Sequence, residues 1–123
     1  MYLVGAAHPH KHDAQQALER FVVERRRLVC DAEVLQEILH RYTAIGRRDA
    51  IQPAFEALLG VVDEVFPVTL AGVKRARDIL LGLPDLSARD AIHVSIMEEQ
   101  RVKEILSFDR GFDGVPGITR VSG

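Results

Sequence analysis

A single cysteine, Cys30, rules out any disulfide within the chain and is in keeping with a reducing cytosol. It sits in the short apolar run "RLVCD", where a small buried hydrophobe is a better reading than a nucleophile. Long hydrophobic runs are also missing, and nothing approaches the roughly 20 apolar residues a membrane span requires. The opening "MYLVGAAHPHKHDAQ" has too short an apolar run for a secretory leader, and no basic residues precede it. There is no excess of one charge sign either, with a formal net charge of −2, so no global basic field marks a nucleic-acid binder. Internal repeats, low-complexity tracts and interdomain linkers are not visible. A soluble cytoplasmic protein is expected.

What is present fits one ordinary domain. A chain of 123 residues, 47% apolar and 28% charged, is long enough to bury about two thirds of its unfolded surface. Basic residues gather locally at Arg25-Arg26-Arg27, Arg47-Arg48 and Lys74-Arg75-Arg77. Such clusters are more often solvated helix faces, but each can hold a polyanion.

Periodicity predicts the elements. Asp13 caps a helix carrying "AQQALERFVVERRR", and "LVC" follows as a short strand. Asp31 caps the next helix, "AEVLQEILHRYTAI", whose apolar stripe is Val34, Leu35, Ile38, Leu39 and Tyr42, and Gly46 stops it. A further helix spans "DAIQPAFEALLG", with Pro53 in its first turn. "DEVFPVT" reads as a strand, Thr69 caps "LAGVKRARDILL", and Ser87 opens a helix running to about Arg101. "EILSF" is a strand, "DRGFDGVPG" a loop and "ITRV" a last strand. Strands alternating with helices, and apolar throughout rather than on one face, predict an α/β fold with a parallel central sheet flanked by helices on both faces.

Chemistry is expected at the carboxyl ends of the strands. Asp109 directly follows "EILSF". Asp31 follows "LVC", where capping the next helix accounts for it. Glu37 lies on the shoulder of its helix's apolar stripe, a half-shielded place for a carboxylate. Asp90 completes a capping box with Ser87, and a carboxylate in a first helical turn is also held rigidly. The three acids Glu37, Asp90 and Asp109 come from separate elements that a parallel fold can bring to one end of the sheet. Like carboxylates held close repel and need a cation, and hard oxygen donors select Mg²⁺ or Mn²⁺ over Zn²⁺. "HPHKH", with His8, His10 and His12, is read as a solvated turn rather than a metal site.

Three segments, "DAEVLQEILHRY", "LSARDAIH" and "ILSFDRGFD", in this order and at these intervals, resemble PIN-domain ribonucleases, and specifically the VapC toxins of prokaryotic toxin–antitoxin pairs. The resemblance covers essentially the whole chain. It implies a parallel sheet flanked by helices and a quartet of acids holding Mg²⁺ or Mn²⁺. The family's helical glutamate falls on Glu37, its helix-start aspartate on Asp90 and its strand-end aspartate on Asp109. Ser107 matches a hydroxyl residue that helps position the site, and Asp113 reads equally as an auxiliary acid or as a loop-turn residue. The family's first strand ends in an aspartate within an Asp-Thr/Ser-x-x-Leu pattern. Here "MYLVGAAHPH" looks like the segment just after it, and no acid precedes Asp13. Residues 1–123 are therefore expected to form one PIN domain, N-terminally incomplete, without the quartet's first member and most of the first strand.

The resemblance implies an endoribonuclease toxin that hydrolyses RNA phosphodiester bonds with metal-activated water. It also implies a cognate VapB-like antitoxin and a homodimer. Arg47-Arg48, following the Glu37 helix, is the first choice for contact with the RNA backbone. The missing first acid leaves a second reading open, a catalytically impaired scaffold that binds an antitoxin without cutting RNA. A phosphotransfer receiver or phosphatase is disfavoured, because the front end is short and no lysine stands beside Asp109.

Overall fold

The computed structural model describes residues 1–5, 27–107 and 110–121, so the expected first helix, the His8, His10 and His12 turn and Asp109 lie outside the described residues. Five short strands pair into one sheet: β1 Tyr2–Val4, β2 Leu28–Asp31, β3 Glu64–Phe66, β4 Glu104–Leu106 and β5 Thr119–Val121. Every pairing is parallel, and the order is β3-β2-β1-β4-β5. The stub "YLV" thus fills the central position, with Leu3 opposite Val29 on one side and Ile105 on the other.

Among the described residues, four helices lie between the strands. α1 spans Ala32–Ala44, capped by the Asp31 side chain, which accepts from the Val34 amide at 3.0 Å. Gly46, at φ 72°, takes the left-handed turn that closes it. A short 3₁₀ turn at Arg48–Ala50 leads into α2, Ile51–Leu59, with Pro53 in its first turn. α3 covers Leu70–Gly82 and is capped by Thr69. α4 covers Ala88–Gln100, capped by Ser87, whose hydroxyl accepts from the Asp90 amide at 3.2 Å.

Strand alternation sorts the core into two layers. Leu3, Val29 and Ile105 point to the face covered by α3 and α4, where they meet Ala76, Ile79, Ala91, Val94 and Met97. Tyr2, Val4, Leu28, Cys30 and Leu106 point to the other face, against Val34 of α1 and Leu58 of α2. Helices therefore lie on both faces, as the apolar strands predict. Ser95 donates to the Gly72 carbonyl at 2.7 Å, fixing α4 against α3. The loop expected at "DRGFDGVPG" is more ordered than that: a 3₁₀ helix, Arg110–Gly114, places Phe112 and Val115 in the α3/α4 core. Burial of these two side chains is the reason, since it holds the intervening turn in one shape.

Candidate active site

The same alternation builds the site. Gly5, Asp31 and Ser107 each stand two residues beyond Leu3, Val29 and Ile105, so they share the α4 face where the strands end. α4 leads straight into β4 and so runs against the strands, which sets its N-terminal turn, with Asp90, at that end. α1 starts there too, because its cap is the last residue of β2.

Asp31 is wholly buried and has two partners. One oxygen caps α1; the other, Oδ2, lies 2.6 Å from Nδ1 of His93. The far nitrogen of the same ring, Nε2, lies 3.1 Å from Oε1 of Glu37. Carboxylates only accept, so a ring that bonds one on each side donates from both nitrogens, as an imidazolium. Burial pulls the His93 ring towards neutrality, but the hydrogen bonds and charges of Asp31 and Glu37 override it and raise its pKa to about 10. One buried cation thus lies between two buried anions.

Glu37 is buried, turned inward to His93 rather than outward, and its second oxygen, Oε2, has no hydrogen-bond partner among the described residues. Leaving a buried acceptor unmatched costs about 1–3 kcal/mol, more for a charged group. Asp90, also buried, is a further acid at this end. Glu33, one turn before Glu37, has its carboxyl raised above the usual range by burial, with Glu37 and Asp31 adding to the effect and His93 and Arg89 opposing it. Arg89 is half-exposed, and its Nε is 4.0 Å from Glu37 Oε1. These are hard oxygen donors, and Oε2 of Glu37 is without a partner among the described residues, which fits a divalent cation of the Mg²⁺ or Mn²⁺ kind. Among the described residues, no three His, Cys, Asp or Glu side chains by themselves form a metal-binding group.

The remaining sequence-predicted residues are dispersed. Ser107 is buried at the end of β4, and its carbonyl accepts from Arg120. Asp113 is exposed, with both oxygens bound by Arg120 at 2.7 and 3.2 Å, a pairing that holds its carboxyl below the usual range. Arg47 and Arg48 stand beyond the carboxyl end of α1, the end opposite Asp31, and Arg47 forms a double hydrogen bond to Asp49 at 3.0 and 3.1 Å. Sequence reasoning missed His93, Arg89, Glu33 and the second bond of Asp31. The signal for His93 lay in "DAIH", where the i, i+3 spacing puts Asp90 and His93 on one helix face.

The chain and its parallel-sheet fold are matched by known proteins. Residues 1–118 match the PIN domain family. The chain is 59% identical over 122 residues to ribonuclease VapC13 of Mycobacterium tuberculosis, covering 99% of this chain and 93% of that one. With ribonuclease VapC23 of the same species it shares 36% identity over 109 residues, 89% of this chain and 86% of that one. Among solved structures, VapBC2 from Rickettsia felis bound to a promoter DNA fragment superposes with a TM-score of 0.73 at 11% identity, covering 98% of this chain and 96% of that one. VapC20 of M. tuberculosis, a toxin that cleaves the sarcin–ricin loop, gives 0.70 at 20% identity, covering 96% and 98%. The chain belongs to the PIN-domain family and, within it, to the VapC ribonucleases. No helix among the described residues is long and apolar enough to cross a membrane.

Proposed function

We propose that this protein is a divalent-metal-dependent endoribonuclease, the toxin of a toxin–antitoxin pair, and that Glu37, Asp90 and Asp109 hold Mg²⁺ or Mn²⁺ at its site. The observation that carries this reading is the buried, unpartnered Oε2 of Glu37 at the same end of the sheet as Asp90. A divalent cation there supplies charge neutralisation for the scissile phosphate and activation of water.

The chain's own groups do the rest. Glu37 and Asp90 are held by helix packing and by the caps at Asp31 and Ser87, so the carboxylates are set before substrate arrives. Arg89, half-exposed beside Glu37, is placed to meet a backbone phosphate of the RNA. Ser107 orients groups at the end of β4, and Asp113 is an auxiliary acid that must first leave Arg120. Arg47 and Arg48 extend backbone contact away from the site.

A VapB-like antitoxin and an RNA substrate are the partners, supported by the VapC relatives and the VapBC neighbour. The protein works in the cytoplasm as a homodimer, and the outer stripe of α3, where Leu70, Val73 and Leu81 are exposed, supports the dimer.

A scaffold that binds antitoxin without cutting RNA is the second reading, and Gly5 favours it. β1 ends there with no acid, and a side chain would crowd the Leu106 carbonyl and the Ser107 Cβ at 3.3 Å. Incubating RNA with the protein and Mn²⁺, with EDTA and Asp90→Asn as controls, separates the two. Cleavage that both controls abolish supports the nuclease; no cleavage at any Mn²⁺ concentration supports the scaffold.

A further inference from the structure

Glu37 needs more than burial to serve a cation well. A carboxylate on a helix has three side-chain torsions, and a ligand that samples several of them loses affinity through ordering. In this protein its Oε1 is fixed by the His93 ring, and that ring is fixed on its other edge by Asp31. Asp31 in turn cannot swing, because its remaining oxygen caps α1. The chain of contacts runs from β2 to α4 to α1, and all three side chains are sealed from solvent. It ends on a single atom, Oε2 of Glu37, that nothing described satisfies.

We propose that His93, anchored by Asp31, is a positioning residue: it clamps Oε1 of Glu37 and leaves Oε2 as the only oxygen of that carboxylate presented to a divalent cation. This rests on the metal-site reading above and adds to it a specific division of labour between the two oxygens. His93 itself does not ligate, since both ring nitrogens are already engaged. Hydrogen-bond partners of ligating carboxylates typically change metal affinity by about 10–100-fold when removed.

The two edges of the ring can be tested separately. A glutamine amide at position 93 places its nitrogen near the ring's Nε2 and keeps the contact to Glu37. An asparagine amide places its nitrogen near Nδ1 and keeps only the contact to Asp31. Mn²⁺ binding to the full chain, followed by the electron paramagnetic resonance signal of free Mn²⁺, is the readout, with circular dichroism confirming the fold.

His93→Gln, which keeps the clamp on Glu37 but loses the Asp31 anchor, is expected to weaken binding by less than about tenfold, and His93→Asn, which loses the clamp, by about 10–100-fold. Equal affinity in His93→Asn and the unmodified protein overturns the proposal. If the buried position tolerates neither change, Asp31→Ser decides the question. Serine keeps an N-cap oxygen and removes the anchor of the ring, so weaker binding supports the proposal and unchanged binding overturns it. Asp90→Asn separates this idea from the metal site as a whole. Loss of binding in Asp90→Asn but not in His93→Asn removes only the role of His93. Unaltered binding in Asp90→Asn, or no binding by the unmodified protein, removes the metal site and this proposal with it.

Discussion

Nδ1 of His93 lies 2.6 Å from Oδ2 of Asp31, and neither side chain reaches solvent. A residue that starts as a helix cap therefore also joins the end of β2 to α4. The consequences for stability follow from the charge on each partner.

His93 is raised in the folded protein to about 10 from its ordinary 6.5. A raised pKa means the folded state holds the proton more tightly, so the stabilisation is fully present below pH 6.5 and fades as pH climbs through about 10. In metal-free buffer with EDTA, the urea midpoint is expected to fall across that window. His93→Gln is expected to be less stable at pH 6 and to lack most of this slope. Parallel pH profiles for the two proteins would contradict the assignment of an imidazolium.

Asp31→Ala removes both the cap and the counter-charge of a buried cation. Breaking a buried ion pair by deleting one partner destabilises by about 3–5 kcal/mol, and the lost cap contributes about 1 of that scale again. Asp31→Ser is expected to recover about the cap's share. Urea unfolding at pH 7 checks the order, with Asp31→Ala least stable, Asp31→Ser intermediate and the unmodified protein most stable.

Cys30 sits between the sheet and α1 with no exposure, and its thiol is pushed up to about 12 by burial and then by the adjacent Asp31 carboxylate. Thiolate is the reactive form, so a thiol reagent at pH 8 is expected to leave the native protein unlabelled and to label it fully in urea. Rapid labelling without denaturant would mean that β2 opens readily.

Much of this was legible in the sequence. The caps at Asp31, Thr69 and Ser87 are local signals, each written within four residues, and all three hold. The parallel sheet followed from uniformly apolar strands, which need cover on both faces. The candidate site was legible only in part. Glu37 and Asp90 stand at the expected end of the sheet, but the ring between Glu37 and Asp31 depends on contacts 56 and 62 residues apart in sequence. No local pattern encodes such a contact. The basic clusters were the least informative, because surface arginines pair with whatever acid is close, as Arg47 does with Asp49 and Arg75 with Glu98.

Asp113 offers a contrast with Asp90. Its carboxylate is exposed where that of Asp90 is buried, and the exposed pair it makes with Arg120 contributes at most about 1 kcal/mol. Asp113→Asn is expected to shift the midpoint of thermal unfolding little and to change Mn²⁺ affinity less than about threefold, whereas Asp90→Asn is expected to lower affinity more than about tenfold. The reverse order, measured by titration calorimetry, would move the site towards β5.

In the function proposed here, the free oxygen of Glu37 and the Asp90 carboxylate share a divalent cation. Crystals soaked in Mn²⁺ and measured at the manganese absorption edge test it most directly. An anomalous peak is expected within bonding distance of Glu37 Oε2 and of an Asp90 oxygen, with the His93 ring still bridging Glu37 Oε1 and Asp31. A fully soaked crystal with no peak at Glu37, or with the ion bound to His93 in place of Glu37, would contradict it.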